Sequence, residues 1–179
     1  GSEVAKLRAG HIDGLVLTSG VLPGLSYSKS NPSGKRTLRE KFEKAAQYLR
    51  DYAQWEIDKK KDKELKEPSD KGVDSAVLRY LRGEARPVFT ASQRTDLLEI
   101  ARLAQRFGFR PIINGCQEGW IVADELGRAG ASAIITARDR RTKSEQLVRT
   151  GGSSIENAAI LHRAGVSVTI IPASAGISL

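Results

Sequence analysis

Three times in this chain an arginine, one further residue and a glycine lead straight into a short apolar run: Arg106-Phe107-Gly108, Arg128-Ala129-Gly130 and Arg163-Ala164-Gly165. Glycine adopts the left-handed backbone with which helices commonly end, so each triplet marks a helix C-terminus that feeds a strand. The strands expected are Arg86–Thr90, Pro111–Asn114, Ala133–Thr136 and Val168–Ile171, with helices over Asp96–Phe107 and from Gly119 to Arg128. An earlier apolar run, Leu15-Val16-Leu17, reads as a fifth strand ending in Thr18-Ser19-Gly20. Short αβ connections imply parallel strands joined by right-handed crossovers and buried on both faces. The fold class is therefore α/β, built of parallel βα repeats. Pattern alone leaves an open doubly wound sheet and a barrel both possible. A complete (β/α) barrel commonly needs about 250 residues, and the chain has 179. A TIM-type barrel in this sequence is thus expected to be partial or degenerate.

Three stretches precede or make up these repeats. Residues 1–34 hold the first strand and a Gly/Ser/Pro-rich connection, residues 35–85 are helical, and residues 86–179 carry the βα repeats, all in one domain. From Thr37 to about Lys66 the apolar residues Leu38, Phe42, Ala45, Ala46, Leu49, Ala53 and Ile57 recur at helical spacing, and Pro68 closes the pattern. A shorter helix follows near Val73–Leu81. Asp96 with Glu99, and Ser153 with Glu156, stand at capping-box spacing, the second pair opening a helix at Ile155.

The net charge of +8 would suit a nucleic-acid ligand, but its distribution argues against one. Between Lys35 and Lys71, 12 basic and 9 acidic residues interleave, as on a solvated helix face, so no nucleic-acid partner is expected. No apolar run approaches the roughly 18 residues of a membrane span, and no membrane partner is expected either. Gly1-Ser2 reads as the remnant of a cleaved tag, which leaves localisation open. Cys116 is the single cysteine, which excludes an intrachain disulfide and a cysteine-cluster metal site.

In parallel α/β folds, ligands bind at the C-terminal ends of the strands. The residues expected there are Ser92, Gln93, Arg94, Cys116, Glu118, Arg138, Arg141 and Ser174. Hydroxyls and guanidinium groups suit a carboxylate or phosphate better than a cation, so a small anionic ligand is the candidate partner. Gly151-Gly152-Ser153-Ser154 could cradle a phosphate at a helix N-terminus, although the capping box already accounts for its serine. Cys116 would need a base to act as a nucleophile. His11 and His162 both fall on the N-terminal side of strands, so Cys116 reads as a structural thiol and no catalytic residue is assigned.

The order of segments from Arg86 to Ile171 resembles the later half of an amidohydrolase-superfamily barrel, of the imidazolonepropionase and prolidase-like branch. The resemblance rests on Pro87-Val88-Phe89-Thr90, the helix Asp96–Ala104, Gln117-Glu118-Gly119-Trp120 and Ala164-Gly165-Val166. Upstream it includes Arg39-Glu40-Lys41-Phe42-Glu43-Lys44-Ala45-Ala46-Gln47-Tyr48. It implies a hydrolase fold in which strand-end histidines and carboxylates hold divalent metal. This sequence departs from that set. It has no His-x-His, carries Ala91 and Gly115 near the two positions where later metal histidines belong, and has Ile171-Pro172-Ala173-Ser174 where a catalytic aspartate belongs. No cofactor is therefore expected, and the chain reads as an amidohydrolase-like scaffold or binding module, either a homo-oligomer or the partner of an active paralogue. Two alternatives stand beside this reading. One is a metal-dependent C–N bond hydrolase (amidase or dipeptidase) completed by residues outside the chain, and the other is a small-anion-binding protein.

Overall fold

A computed structural model describes residues 25–26, 32–136, 152 and 154–171. The elements are β1 (Leu25–Ser26), α1 (Pro32–Asp58), α2 (Ser75–Leu81), β2 (Val88–Ala91), α3 (Arg94–Phe107) and β3 (Ile112–Gly115), then a 3-10 turn (Gly119–Ile121), α4 (Ala123–Arg128), β4 (Ser132–Thr136), α5 (Asn157–Arg163) and β5 (Ser167–Ile171). Among the described residues the five strands are parallel, and their order in the sheet is their order in the chain. That order separates the two architectures the sequence left open. A doubly wound sheet reverses direction at a switch point, whereas strands added always on the same side, through right-handed crossovers, place every helix on one face.

Burial on both faces, as the sequence led one to expect, holds at the strand starts and gives way to exposure of one face at their ends. Phe89, Ala91, Ile113, Ala133 and Ile135 share one face by register and belong to the core. On the other face Ile112 and Ser132 are buried at the strand starts, and Thr90, Asn114 and Thr136 are exposed at the ends. The core is thus the layer between the sheet's outer face and the helices. Phe42 of α1 is fully buried at its centre, 4.8 Å from the Phe109 ring and 5.4 Å from Phe107.

Four of the expected strands lie where the pattern put them. The run Leu15–Leu17 is outside the described residues, and the fifth strand is Leu25–Ser26, inside the stretch read from sequence as a connection. The long helix also shifts. It begins at Pro32, whose ring presets helical φ where no N–H partner is needed, and it ends at Asp58 rather than near Lys66. Between Ile57 and Leu65 no apolar residue offers a face to bury, so the chain turns back and the Leu65 carbonyl accepts a hydrogen bond from Trp55 Nε1 at 3.0 Å. The expected helix Gly119–Arg128 is split into the 3-10 turn and α4, and α5 opens at Asn157 rather than at Ile155.

The Asp96–Glu99 capping box does not form. Gln93 is the N-cap of α3, and both acids instead hold Lys35 of α1, with Nζ 2.6 Å from Asp96 and 2.8 Å from Glu99. This triad joins the N-terminal halves of two helices, a long-range partnership that local spacing does not reveal. The glycine reading holds: Gly108, Gly130 and Gly165 have φ of 76°, 61° and 86° and end α3, α4 and α5.

Candidate functional site at the strand ends

The C-terminal ends of β2, β3 and β4 are built from one repeated local pattern. Each strand carries, at or one residue before its end, two apolar residues and a polar one: Val88-Phe89-Thr90, Ile112-Ile113-Asn114 and Ile134-Ile135-Thr136. Alternation along a strand sends Phe89, Ile113 and Ile135 into the helix-side core and the polar residues to the open face. Thr90 and Asn114 are direct register partners. The expected site was drawn from the loops after the strands and missed these in-strand residues. The signal was present, since an asparagine inside an apolar strand is disfavoured unless it faces solvent or a ligand.

Of the residues singled out from sequence, Arg138, Arg141 and Ser174 lie outside the described residues, as does His11. Ser92, Gln93, Arg94, Cys116 and Glu118 all fall at the ends of β2 and β3, as expected. Gln93 and Arg94 are exposed, and the Arg94 backbone N–H, at the start of α3, donates to Glu118 Oε2 at 2.8 Å. The other oxygen of Glu118 accepts from the Gly152 N–H at 2.7 Å. Trp120 Nε1 in turn donates to the Gly152 carbonyl at 2.8 Å. Two members of Gln117-Glu118-Gly119-Trp120 thus clamp both sides of Gly152. Gly119 is needed for space, because a Cβ there would lie 2.5 Å from Cys116 Sγ.

Cys116 is fully buried in left-handed backbone, with φ of 45°, and burial pushes its thiol up to about 12. A thiol so raised stays protonated and is neither a nucleophile nor a ready metal ligand. Its carbonyl accepts from Asn157 Nδ2 at 2.9 Å. Asn157 is 6% exposed, and among the described residues its Oδ1 has no hydrogen-bond partner. This buried amide, at the start of α5, is a second strand-end group that sequence reading missed, because nothing local brings it to Cys116. His162 is exposed near the end of α5.

Glu118 is held below the usual carboxylate range by the Arg94 and Gly152 backbone hydrogen bonds, against the opposing effect of partial burial. A carboxyl lowered by folding stabilises the protein above its ordinary value of 4.5 and loses that contribution as pH falls through the lowered value. Glu118→Gln is therefore expected to cost about 1 kcal/mol near neutrality, because solvent screens the partly exposed group. Urea melts of both proteins at several pH values should show this gap shrinking below pH 4.5. A gap independent of pH would mean that the charge of Glu118 is not what the clamp uses.

Near the positions at which the resemblance places metal histidines stand an alanine and a glycine. Ala91 belongs to the helix-side core. Gly115 has φ of 103°, and a Cβ there would lie 2.9 Å from Ser92 Oγ and 3.1 Å from the Ala91 carbonyl, so that corner is filled. Among the described residues, no group of three or more His, Cys, Asp or Glu side chains could hold a metal ion.

No family model matches the chain. No curated protein matches it either. Among solved structures, an amidohydrolase from Thermotoga maritima MSB8 superposes with a TM-score of 0.57 at 18% identity, over 87% of this chain. The matched region is 42% of that amidohydrolase, so the chain spans less than half the length of its structural neighbour. The parallel sheet laid down in chain order, with its helices on one face, is a partial (β/α) barrel of amidohydrolase-like fold.

Proposed function

We propose that this chain is an amidohydrolase-like binding domain whose strand ends recognise a ligand through neutral polar groups instead of positioning a metal-activated water. The observation that supports this most directly is the corner formed by Gly115, Ser92 and Ala91. Its left-handed glycine and close backbone leave no place for a ligating side chain, on the strand where the resemblance expects one. Glu118 and Cys116, among the described residues, are committed in the same way. Glu118 holds two backbone N–H groups, and Cys116 is buried and protonated. Open on the sheet, among the described residues, is the exposed row of Thr90, Asn114 and Thr136, which offers hydroxyls and an amide.

Metal analysis of the purified protein tests the reading. Zinc, manganese and iron should each be far below one equivalent and should leave on dialysis against chelator without a change in thermal stability. Stoichiometric metal whose removal lowers the melting temperature would refute it, because structural or catalytic metal contributes to folding energy.

A further inference from the structure

β5 is the last strand of the sheet, and among the described residues no strand pairs with its outer edge. The two edges of the sheet differ. β1 is two residues long, whereas β5 pairs with β4 at five successive positions, without a bulge. Edge strands of soluble proteins are guarded by shortness, a lysine, a proline or a bulge. Ser167-Val168-Thr169-Ile170-Ile171 holds no proline and no charge. Its side chains are also bare where the rest of the sheet is covered. Phe89, Ile113, Ala133 and Val168 are successive register partners, so Ile135 and Ile170, paired two residues further on, share their helix-side face. Ile135 is 6% exposed there and Ile170 is 56% exposed. Ile171, and Ile155 just before α5, are exposed as well.

The backbone decides what fits this edge. The Ser132 N–H of β4 donates to the Pro111 carbonyl, so by alternation Ala133 and Ile135 turn their backbone groups to β5. In parallel register these two engage Ser167, Thr169 and Ile171, which leaves the N–H and C=O groups of Val168 and Ile170 pointing outward. An identical strand running the other way, about a two-fold axis at Thr169, meets those groups. Val168 and Ile170 of one copy then exchange hydrogen bonds with Ile170 and Val168 of the other. The side chains match too, with apolar pairs on the helix-side face, threonine opposite threonine and no like charges opposed. Within these 179 residues, eight follow Ile171, fewer than the dozen or more of a parallel crossover. The apolar run Leu15–Leu17 is seven residues from β1, which is the opposite edge. The neutral, self-complementary edge thus fits a second copy of itself.

We propose that two copies of this chain associate through β5, antiparallel about a two-fold axis at Thr169, into one continuous sheet that covers Ile170. The interface stands whether or not the strand-end face binds a ligand.

Sedimentation velocity of the 179-residue protein tests the proposal, at moderate salt so that the net charge of +8 is screened. The mass should rise from monomer to dimer as concentration is raised. Ile170 is exposed and its N–H faces outward, so I170K and I170P should keep the circular-dichroism spectrum of the wild type and stay monomeric. The geometry itself is read by T169C. Antiparallel neighbours of the non-hydrogen-bonded kind stand about 4.5 Å apart at Cα, inside the range of about 4.4–6.8 Å that a disulfide spans. Oxidised glutathione should therefore link T169C into a covalent dimer while Q105C, an exposed cysteine on α3, stays largely monomeric. Cys116 is buried in every variant and takes no part. A wild type that is monomeric at every concentration, a dimer that survives both I170K and I170P, or equal cross-linking of T169C and Q105C would each overturn the proposal.

Discussion

Replacing Arg86 by methionine is expected to destabilise the protein by about 3–5 kcal/mol, since several neutral acceptors lose their donor at about 1–3 kcal/mol for each one left buried and unsatisfied. Arg86 is 7% exposed, and its guanidinium reaches across the beginnings of three strands. Nε donates to the Arg110 carbonyl at 3.0 Å, and Nη2 donates to the Pro111 carbonyl at 3.1 Å, the Gly130 carbonyl at 3.3 Å and Ser132 Oγ at 2.9 Å. The Arg110 and Gly130 carbonyls precede β3 and β4, and the Pro111 carbonyl is shared with the Ser132 N–H of β4 at 2.9 Å. The planar fork of arginine serves several acceptors at once, whereas the lysine ammonium is a point donor on a flexible stem. Arg86→Lys should therefore recover only part of the loss. Urea denaturation followed by circular dichroism gives both values. A methionine variant within 1 kcal/mol of wild type would show that water replaces the guanidinium without penalty and that the tie is incidental.

Gly127→Ala is expected to cost at least about 3 kcal/mol, the upper end of overpacking penalties, although alanine is the better helix former. Gly127 lies inside α4, and a Cβ there would overlap the carbonyl oxygen of Ala164 at the end of α5. Both partners are main chain, so relief requires the two helices to move apart and to loosen Leu126 and Leu161, each fully buried. Gly108→Ala is the control. Its φ of 76° makes alanine strained, yet nothing lies within 4 Å of the added carbon, so the cost should be only the 1–2 kcal/mol or so of the left-handed conformation. Thermal melts of the two variants separate close approach from backbone strain. Equal losses would mean that α4 and α5 part easily.

Glu118 and Arg86 meet different demands at the two ends of the sheet. At the C-terminal end, Glu118 ties α3 to the segment before α5 through backbone N–H groups. At the N-terminal end, Arg86 ties strand beginnings together through carbonyls. An acid gathers donors where helices begin and a base gathers acceptors where helices end, as the peptide dipoles require.

The amino-acid sequence by itself determined the local events: where helices stop, where four strands run, and that the strands are parallel. Arg-x-Gly followed by an apolar run encodes these within a few residues, through glycine's left-handed backbone and a change of hydrophobic period from helix to strand. It also carried the strand-end polar row, because Thr90, Asn114 and Thr136 each close an apolar pair. Tertiary structure alone decided the rest. Strand order, and with it the one-faced layering of a partial barrel, depends on which strands pair, and a buried strand has the same composition in either architecture. Lys35 meets Asp96 and Glu99 across 61 and 64 residues, Asn157 meets Cys116 across 41, and Glu118 meets Gly152 across 34. Asp96 and Glu99 had the spacing of a local cap and took a distant lysine instead, since a cation on a packed neighbouring helix is a stronger partner for a nearly buried acid than a backbone N–H.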